Sequence, residues 1–221
     1  MNLDRVLTSS DLLVGPARCA AGCPAAHSLR KRTFDLVGAS FALVLFLPVL
    51  LLIALAIRLE GGGPVLFRQR RTGLNGAPFR IYKFRTMRVL EDGEAVTQAT
   101  RGDARVTRLG AILRKLSLDE LPQLLNVLKG EMSFVGPRPH AVSHDMEWAG
   151  AVAAYTARFR VRPGLTGHAQ VLGHRGNVAD REALLARVSA DNAYIENWSF
   201  AEDLRLIVRT VPLLFGDARA F

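Results

Sequence analysis

Two adjacent carboxylates, Asp119 and Glu120, are residues whose types and spacing suggest chemistry. They lie in the segment SLDELPQ, residues 117–123, directly after a basic stretch. Adjacent carboxylates can hold Mg²⁺, and a carboxylate can act as a nucleophile toward phosphorus. The same segment also fits a helix start, with Ser117 as the N-cap of a capping box or Asp119 as the cap ahead of Pro122. Spacing alone leaves both interpretations open.

Two segments rich in glycine and proline could bind a phosphate. In GPRPH, residues 136–140, prolines on both sides of Arg138 fix the backbone and pre-aim the guanidinium, whose fork of donors matches a phosphate. Glycines in RVRPGLTGHAQ, residues 160–170, would let a ligand approach the backbone closely. Each segment could equally be a rigid loop, so neither identifies a site alone.

Other metal or redox sites have little support in the sequence. His140 and His144 stand four residues apart with Asp145 beside them, but without an HExxH pattern they are a weak zinc signal. Cys19 and Cys23 are too few for a disulfide scaffold, and no second Cys/His pair completes a zinc site. The sequence contains neither a P-loop nor a GxGxxG motif. We interpret its compartment as reduced and cytoplasmic.

The charge of the chain is concentrated in one stretch. The 221 residues carry a formal net charge of +9, and 49% of them are hydrophobic, which excludes a disordered chain. Residues 30–88 hold 11 Lys and Arg against two acids, so this stretch carries the whole surplus. We expect it to attract anionic lipid headgroups and a polyprenyl phosphate. Nucleic acid is a less suitable partner, because aromatic residues make up only 7% and no nucleic-acid fold signature is present.

A membrane segment is predicted over residues 36–57, which contain no charged residue. As a helix this run would reach roughly 33 Å, enough to cross a bilayer core. Pro48 in its middle predicts a kink, and Lys31, Arg32 and Arg58 make both flanks basic. A kinked single pass and a helix that dips in and returns to the same face fit these features about equally. A buried soluble helix fits less well.

The rest of the sequence predicts a mostly helical domain with a small β element. Residues 64–71 and 78–85 predict a β-hairpin, and Gly and Pro clusters predict loops at 136–139 and 163–167. Predicted helices cover residues 105–116, 121–128, 145–160, 179–195 and 203–214, the last interrupted at Pro212. The predicted organisation is a loosely ordered leader (1–29), a membrane segment (30–60) and a catalytic domain (61–221).

Taken in order, several segments resemble the bacterial sugar transferase family, the monotopic polyprenyl-phosphate phosphoglycosyl transferases. The resemblance covers roughly residues 29–221. The segments that carry it are KRTFD at 31–35, YKFRTM at 82–87, SLDELPQL at 117–124, NVLKG at 126–130, MSFVGPRP at 132–139 and RPGLTG at 162–167. Within the family, GPRPHAV at 136–142 looks most like the undecaprenyl-phosphate glucose phosphotransferase group.

The resemblance implies an enzyme that transfers a hexose 1-phosphate from a UDP-sugar to undecaprenyl phosphate and releases UMP. The family uses an Asp-Glu dyad with Mg²⁺. Asp119 would therefore attack the β-phosphate and form a covalent phosphosugar intermediate, while Glu120 would assist in metal binding or in positioning the acceptor. The residues that would bind substrate or phosphate are Arg114, Arg138, Lys83, Arg162 and Gln170. Such enzymes often initiate exopolysaccharide or capsule repeat units.

The resemblance also implies a topology and a location. The expected fold is mostly α with a small β element (α+β), in which a re-entrant membrane helix bent at Pro48 precedes a catalytic domain with amphipathic surface helices. This domain would lie on the cytoplasmic face of the bacterial inner membrane. The basic residues expected to meet anionic lipids at the membrane surface are Lys31, Arg32 and Arg58.

Two positions depart from the family pattern. Leu47 stands where a serine commonly precedes the bending proline, and His168 stands where a tryptophan follows Thr-Gly. Neither position touches the dyad. Two alternatives remain open: the same chemistry with an N-acetylated sugar, and a non-enzymatic, basic binding module anchored to the membrane. The sequence also leaves the oligomeric state open, a homodimer included.

Overall fold

A computed structural model describes residues 23–216, except 62, 89–97, 101, 175, 177 and 179. Most of the predicted leader, residues 1–22, lies outside the described residues. The helices are α1 (Pro24–His27), α2 (Leu29–Glu60), α3 (Arg108–Lys115), α4 (Leu124–Lys129), α5 (Val142–Ala151), α6 (His168–Val171), α7 (Arg181–Glu196) and α8 (Phe200–Gly216). The strands are β1 (Leu66–Thr72), β2 (Pro78–Phe84), β3 (Ser133–Val135) and β4 (Gly164–Thr166). Three 3₁₀ turns cover Leu74–Gly76, Leu118–Gln123 and Tyr155–Arg160. The predicted α+β class is confirmed.

The long apolar helix is α2, and within the described residues it alone is long and apolar enough to cross a membrane. It runs through Pro48 as one helix over residues 29–60. One face of its middle is exposed: Phe41, Val44, Leu51 and Leu52 are all more than 60% exposed. Apolar side chains exposed in such number indicate a surface that is covered by lipid or protein.

Both ends of α2 contact the same catalytic domain. At the N-terminal end, Lys31 forms a buried ion pair with Asp203 (2.7 Å), and Asp35 accepts hydrogen bonds from the start of β3. At the C-terminal end, Ile57 is fully buried and its carbonyl accepts a hydrogen bond from Arg85 (3.1 Å). Between these ends, Ala39 and Ile53 also pack into apolar clusters of the domain, and residues 44–49 are exposed.

The predicted hairpin is confirmed and a second sheet is added to it. β1 and β2 are antiparallel, whereas β3 and β4 form a short parallel pair in which Ser133 lies opposite Gly164. The predicted loop at 163–167 is thus partly a strand. Three-residue strands are too short to show alternation, so this pairing had no sequence signal. A Cβ on Gly136 or on Gly164 would overlap facing backbone, which explains why the two chain segments can approach so closely.

The predicted helices occur, with shifted ends. α3 begins at Arg108 because the Thr107 side chain caps it by accepting from Gly110 N (2.9 Å). The predicted helix 145–160 is divided into α5 and a 3₁₀ turn. The interruption expected at Pro212 is wrong, because α8 continues through that residue.

One of the apolar clusters supports the dyad region. It joins α2, the hairpin and α4, and its buried members are Ala39, Phe79, Ile81, Leu124, Val127 and Met132. Since the 3₁₀ turn that holds the dyad leads directly into α4, this packing fixes the turn against β2.

Candidate active site

The dyad lies in the 3₁₀ turn between α3 and α4. Ser117 precedes the turn in a left-handed conformation (φ 54°), and its side chain makes no capping hydrogen bond. The capping-box interpretation is therefore wrong. The chain reverses sharply here, with Ser117 N donating to Arg114 O (3.0 Å). A non-glycine residue in this conformation costs on the order of 1 kcal/mol, which the surrounding packing must offset. Asp119 and Glu120 follow in the first turn, and neither side chain caps the helix.

Glu120 is held by two cations. Lys83 Nζ from β2 lies 2.9 Å from Glu120 Oε1, and Arg138 Nη2 lies 2.6 Å from the same oxygen. A second Arg138 nitrogen reaches Oε2 at 3.3 Å, so the contact is two-pronged. Burial would raise the pKa of Glu120, but Arg138 and Lys83 outweigh burial and hold that pKa well below its usual range. Glu120 is therefore an ionised carboxylate that fixes two cations beside Asp119.

Asp119 is in the opposite electrostatic state. It is 8% exposed, and within the described part of the chain no group donates a hydrogen bond to its side chain. Burial raises the pKa of Asp119 to about 6, despite the opposing charge of Lys83. An ionised Asp119 is thus a poorly solvated, unclamped carboxylate, which is the state that favours nucleophilic attack.

Two further contacts position the cations. Arg114 Nε donates to Thr86 Oγ1 (2.9 Å), and its charge lowers the pKa of Asp119. Asn126, fully buried in α4, ties that helix to β2: its Oδ1 accepts from Tyr82 N (3.0 Å) and its Nδ2 donates to the Arg80 carbonyl (2.7 Å). Because Lys83 is the next residue of β2 after Tyr82, this amide helps to hold Lys83 beside the dyad.

Arg162 and Gln170 are not brought to the dyad by any contact in the described residues. The Arg162 guanidinium donates to the carbonyls of Gly130 (2.9 Å) and Ala26 (2.9 Å). Gln170 is buried in α6 and its Nε2 faces Leu165 O at 3.4 Å. These contacts hold backbone segments together, so a phosphate-binding role for either residue stays a prediction.

The basic residues flanking α2 divide into two kinds. Lys31 is 6% exposed and paired with Asp203, so its expected place at the membrane surface needs correction. A cation with a buried counter-charge is held by that charge and is not presented to lipid. Arg32 donates to the last carbonyls of α4, those of Val127 and Leu128, which is a helix C-cap role. Arg58 is exposed, as a surface residue must be.

His140 and His144 contact other side chains. His140 Nδ1 contacts Arg158 Nη1 (2.6 Å) and the Tyr155 hydroxyl (3.0 Å), and His144 stacks on Trp148. The described residues contain no cluster of three or more His, Cys, Asp or Glu that could hold a metal. Sequence reasoning missed the role of Arg158, because its partners lie up to 33 residues away and no local pattern marks them.

The donor chemistry of the dyad nevertheless fits magnesium. Asp119 offers a buried carboxylate without a hydrogen-bond donor in the described residues, and Glu120 is adjacent and ionised. Mg²⁺ is commonly bound by one or two carboxylates together with substrate phosphates, without a cage made only of protein ligands. The two carboxylates of the dyad match the protein's part of that requirement.

Comparison with known proteins identifies the family. The model of the bacterial sugar transferase family matches residues 26–217. The chain is 56% identical over 196 residues to a UDP-glucose:undecaprenyl-phosphate glucose-1-phosphate transferase of Caulobacter vibrioides, covering 89% of this chain and 73% of that protein. It is 49% identical to the Escherichia coli (strain K12) protein of the same name, covering 88% of this chain but only 42% of that protein.

An exopolysaccharide production protein PSS of Rhizobium leguminosarum bv. phaseoli is 46% identical, with 82% of this chain and 92% of that protein covered. The resemblance stated from the motifs is therefore confirmed, including its direction toward the glucose phosphotransferase group. The expectation of a transferase is confirmed with it. The chain belongs to the bacterial sugar transferase family.

Proposed function

We propose that this chain transfers a hexose 1-phosphate from a UDP-sugar to undecaprenyl phosphate, with release of UMP. The observation that carries the proposal is the pair of unlike carboxylates: a buried, unclamped Asp119 next to a Glu120 held by Lys83 and Arg138. This arrangement provides a nucleophile within a group of phosphate-binding cations. The names of the relatives supply the substrate class and favour glucose as the first sugar to test.

The proposed chemistry has two displacements at one phosphorus. An Asp119 carboxylate oxygen attacks the β-phosphorus of the UDP-sugar, and the bond from that phosphorus to the bridging oxygen breaks, so that UMP leaves. A phosphate oxygen of undecaprenyl phosphate then attacks the same phosphorus and breaks its bond to Asp119. The products are UMP and undecaprenyl diphosphate-sugar, and the carboxylate is regenerated. Covalent catalysis divides one difficult displacement into two easier ones.

The surrounding residues bind and orient the phosphates. Arg138 and Lys83 stand beside the dyad and neutralise negative charge in the diphosphate, and Arg114 adds a third cation. Asp119 and Glu120 would hold Mg²⁺, which when bound supplies charge stabilisation to the diphosphate and the departing UMP. Glu120 keeps Lys83 and Arg138 oriented in the absence of substrate.

The decisive experiment replaces the nucleophile without changing its shape. We expect Asp119→Asn to abolish UMP release from UDP-glucose in the presence of undecaprenyl phosphate and Mg²⁺. Glu147→Gln, at an exposed carboxylate in α5, is the matched control and should keep wild-type turnover. In the wild type without acceptor, intact-protein mass spectrometry should show one added phosphosugar, absent from Asp119→Asn. Near-normal turnover of Asp119→Asn would contradict the nucleophile assignment.

A panel of UDP-sugars separates the two sugar classes. The same assay with UDP-glucose, UDP-galactose and N-acetylated UDP-sugars should give the highest kcat/KM for a hexose. Preference for an N-acetylated sugar would retain the chemistry and replace the sugar. If no UDP-sugar is turned over and the chain binds anionic vesicles, the non-enzymatic module is the better interpretation.

We further propose that α2 is re-entrant and that the catalytic domain faces the cytoplasm. The support is that both ends of α2 contact one domain, through Lys31 at one end and Ile57 at the other. In a helix that crosses the bilayer, the two ends would lie on opposite sides. Single cysteines introduced near residues 28 and 75 should be labelled from the same side of a sealed membrane. Labelling from opposite sides would indicate a true span.

A further inference from the structure

A buried ionic network lies behind the loop that carries Arg138. Its centre is Arg158, 2% exposed in the 3₁₀ turn before β4. Arg158 Nη2 donates to Asp191 Oδ2 in α7 (2.7 Å) and to the main-chain carbonyl of Arg138 (2.8 Å). Its Nη1 lies 2.6 Å from His140 Nδ1 and 3.0 Å from the Tyr155 hydroxyl. One side chain thus reaches two residues of the loop and one residue of a distant helix.

The loop needs such a partner because of its own sequence. The β3 ladder ends at Gly136, whose N–H donates to Thr166 O (2.9 Å), because Pro137 and Pro139 beyond it have no backbone N–H to continue the pairing. A buried main-chain carbonyl without a donor costs free energy, so side chains must supply the hydrogen bonds. Arg158 supplies one to the Arg138 carbonyl, and Arg71 supplies one to the Pro139 carbonyl (3.2 Å).

Stability alone does not explain a buried arginine here. Burying an ion pair such as Arg158 and Asp191 carries a desolvation cost, and packed apolar residues of similar volume often replace buried pairs at no loss. What apolar residues cannot supply is a forked donor that binds a carboxylate and a main-chain carbonyl together. The Arg158 guanidinium therefore has a geometric role. The residue that it orients is Arg138, whose Nη2 lies 2.6 Å from Glu120 Oε1.

We infer that Arg158 is a positioning residue: anchored by Asp191, it fixes the main chain at Arg138 and so directs the Arg138 guanidinium to the dyad and to substrate phosphate. Arg158 itself contacts neither carboxylate of the dyad in the described structure. The role in turnover rests on the proposed function, whereas the role in fixing the loop does not.

The test uses Arg158→Lys in the full chain. Lysine keeps a positive charge near Asp191. Its side chain is shorter and ends in a single ammonium, so it cannot bind the Asp191 carboxylate and the Arg138 carbonyl together as the guanidinium does. We expect hydrogen–deuterium exchange of peptides covering residues 133–141 to rise in Arg158→Lys. Arg160→Lys is the matched control, because Arg160 lies on the same turn and its Nε donates to the Ala157 carbonyl (3.0 Å). Unchanged exchange in Arg158→Lys would overturn the inference whether or not the chain turns over UDP-sugars.

A double-mutant cycle then tests the link to catalysis. We expect Arg158→Lys to lower the kcat/KM of UMP release by about tenfold, within the range of coupling between contacting residues. In an Arg138→Lys background the same substitution should have less than a twofold further effect, since the residue it positions is already gone. Multiplying effects in the double variant would mean a general structural role and would refute positioning.

Arg158→Met separates folding from positioning. Loss of the charge leaves Asp191 buried without its partner, so we expect a lower melting temperature in Arg158→Met and a return toward wild type in Arg158→Lys. Activity should stay low in both. If lysine restores melting temperature and activity together, Arg158 merely neutralises Asp191. If the wild type releases no UMP while Asp119→Asn behaves identically, the proposed function fails, and the exchange result still decides the anchoring of the loop.

Discussion

Asp119→Asn should stabilise the fold while abolishing activity. The pKa of Asp119 is raised from 3.8 to about 6 because burial disfavours the ionised carboxylate. The native state therefore binds this proton more tightly than the unfolded state does. Ionisation in the native state costs stability at every pH above about 6, and the cost vanishes as the pH falls below about 4. A neutral, similarly shaped Asn removes that cost.

The size of the effect follows from the shift. About two pKa units at about 1.4 kcal/mol each give roughly 3 kcal/mol at neutral pH. For a chain of this length, that corresponds to a rise in melting temperature of roughly 6–12 °C. Near pH 4 the variant and the wild type should melt within about 2 °C of each other.

The neighbouring residue is the matched control with the opposite sign. The pKa of Glu120 is held well below its usual value by Arg138 and Lys83, so its ionised form stabilises the fold at all pH values above about 4.5. Glu120→Gln removes the counter-charge from both cations and should cost about 2 kcal/mol. Two adjacent, chemically similar substitutions should thus shift stability in opposite directions.

The assay is thermal unfolding followed by fluorescence, in one detergent and at one scan rate, at about pH 4 and about pH 7.5. The expected pattern is a pH-dependent gain for Asp119→Asn and a loss for Glu120→Gln. A melting temperature of Asp119→Asn equal to or below that of the wild type at about pH 7.5 would refute the burial argument. It would mean that the nearby cations, and not desolvation, control this carboxylate.

Three further predictions follow from the site and its supports. UMP release should fall about tenfold per pH unit below about pH 6, as Asp119 becomes protonated and loses its nucleophilic form; a flat profile down to pH 4 would contradict this. Lys31→Ala should cost about 3–5 kcal/mol because it leaves Asp203 buried and unpaired, whereas exposed Arg58→Ala should change stability by under about 0.5 kcal/mol; equal melting temperatures would disprove the distinction. Gly136→Ala should prevent stable folding, because its Cβ would overlap facing backbone; circular dichroism with wild-type melting would exclude that close approach.

The sequence alone was sufficient for the fold class, the hairpin and the family. Each of these features depends on a local sequence pattern: the apolar run of residues 36–57, the turn between two β-rich segments, and several motifs in fixed order. It also predicted that Arg138 and Lys83 belong to the site, and the structure places both on Glu120.

Local patterns misled the prediction where a long-range contact competes with them. Ser117 and Glu120 have capping-box spacing, yet the Glu120 carboxylate binds Lys83, 37 residues earlier, and Arg138, 18 residues later. Lys31 lies beside an apolar run and was expected at the membrane surface, yet its partner is Asp203, 172 residues away. A motif gives residue type and spacing, but not which distant charge it meets.

What the sequence determined is therefore the inventory of chemical groups and their local geometry, including two adjacent carboxylates and one arginine, Arg138, between two prolines. What only the tertiary structure decided is their electrostatic state. Asp119 and Glu120 are neighbours in the chain with similar intrinsic acidity, yet burial raises the pKa of one and two cations lower the pKa of the other. Desolvation and charge pairing depend on what packs around a group in space, and that environment comes from β2, the Arg138 loop and α4 together.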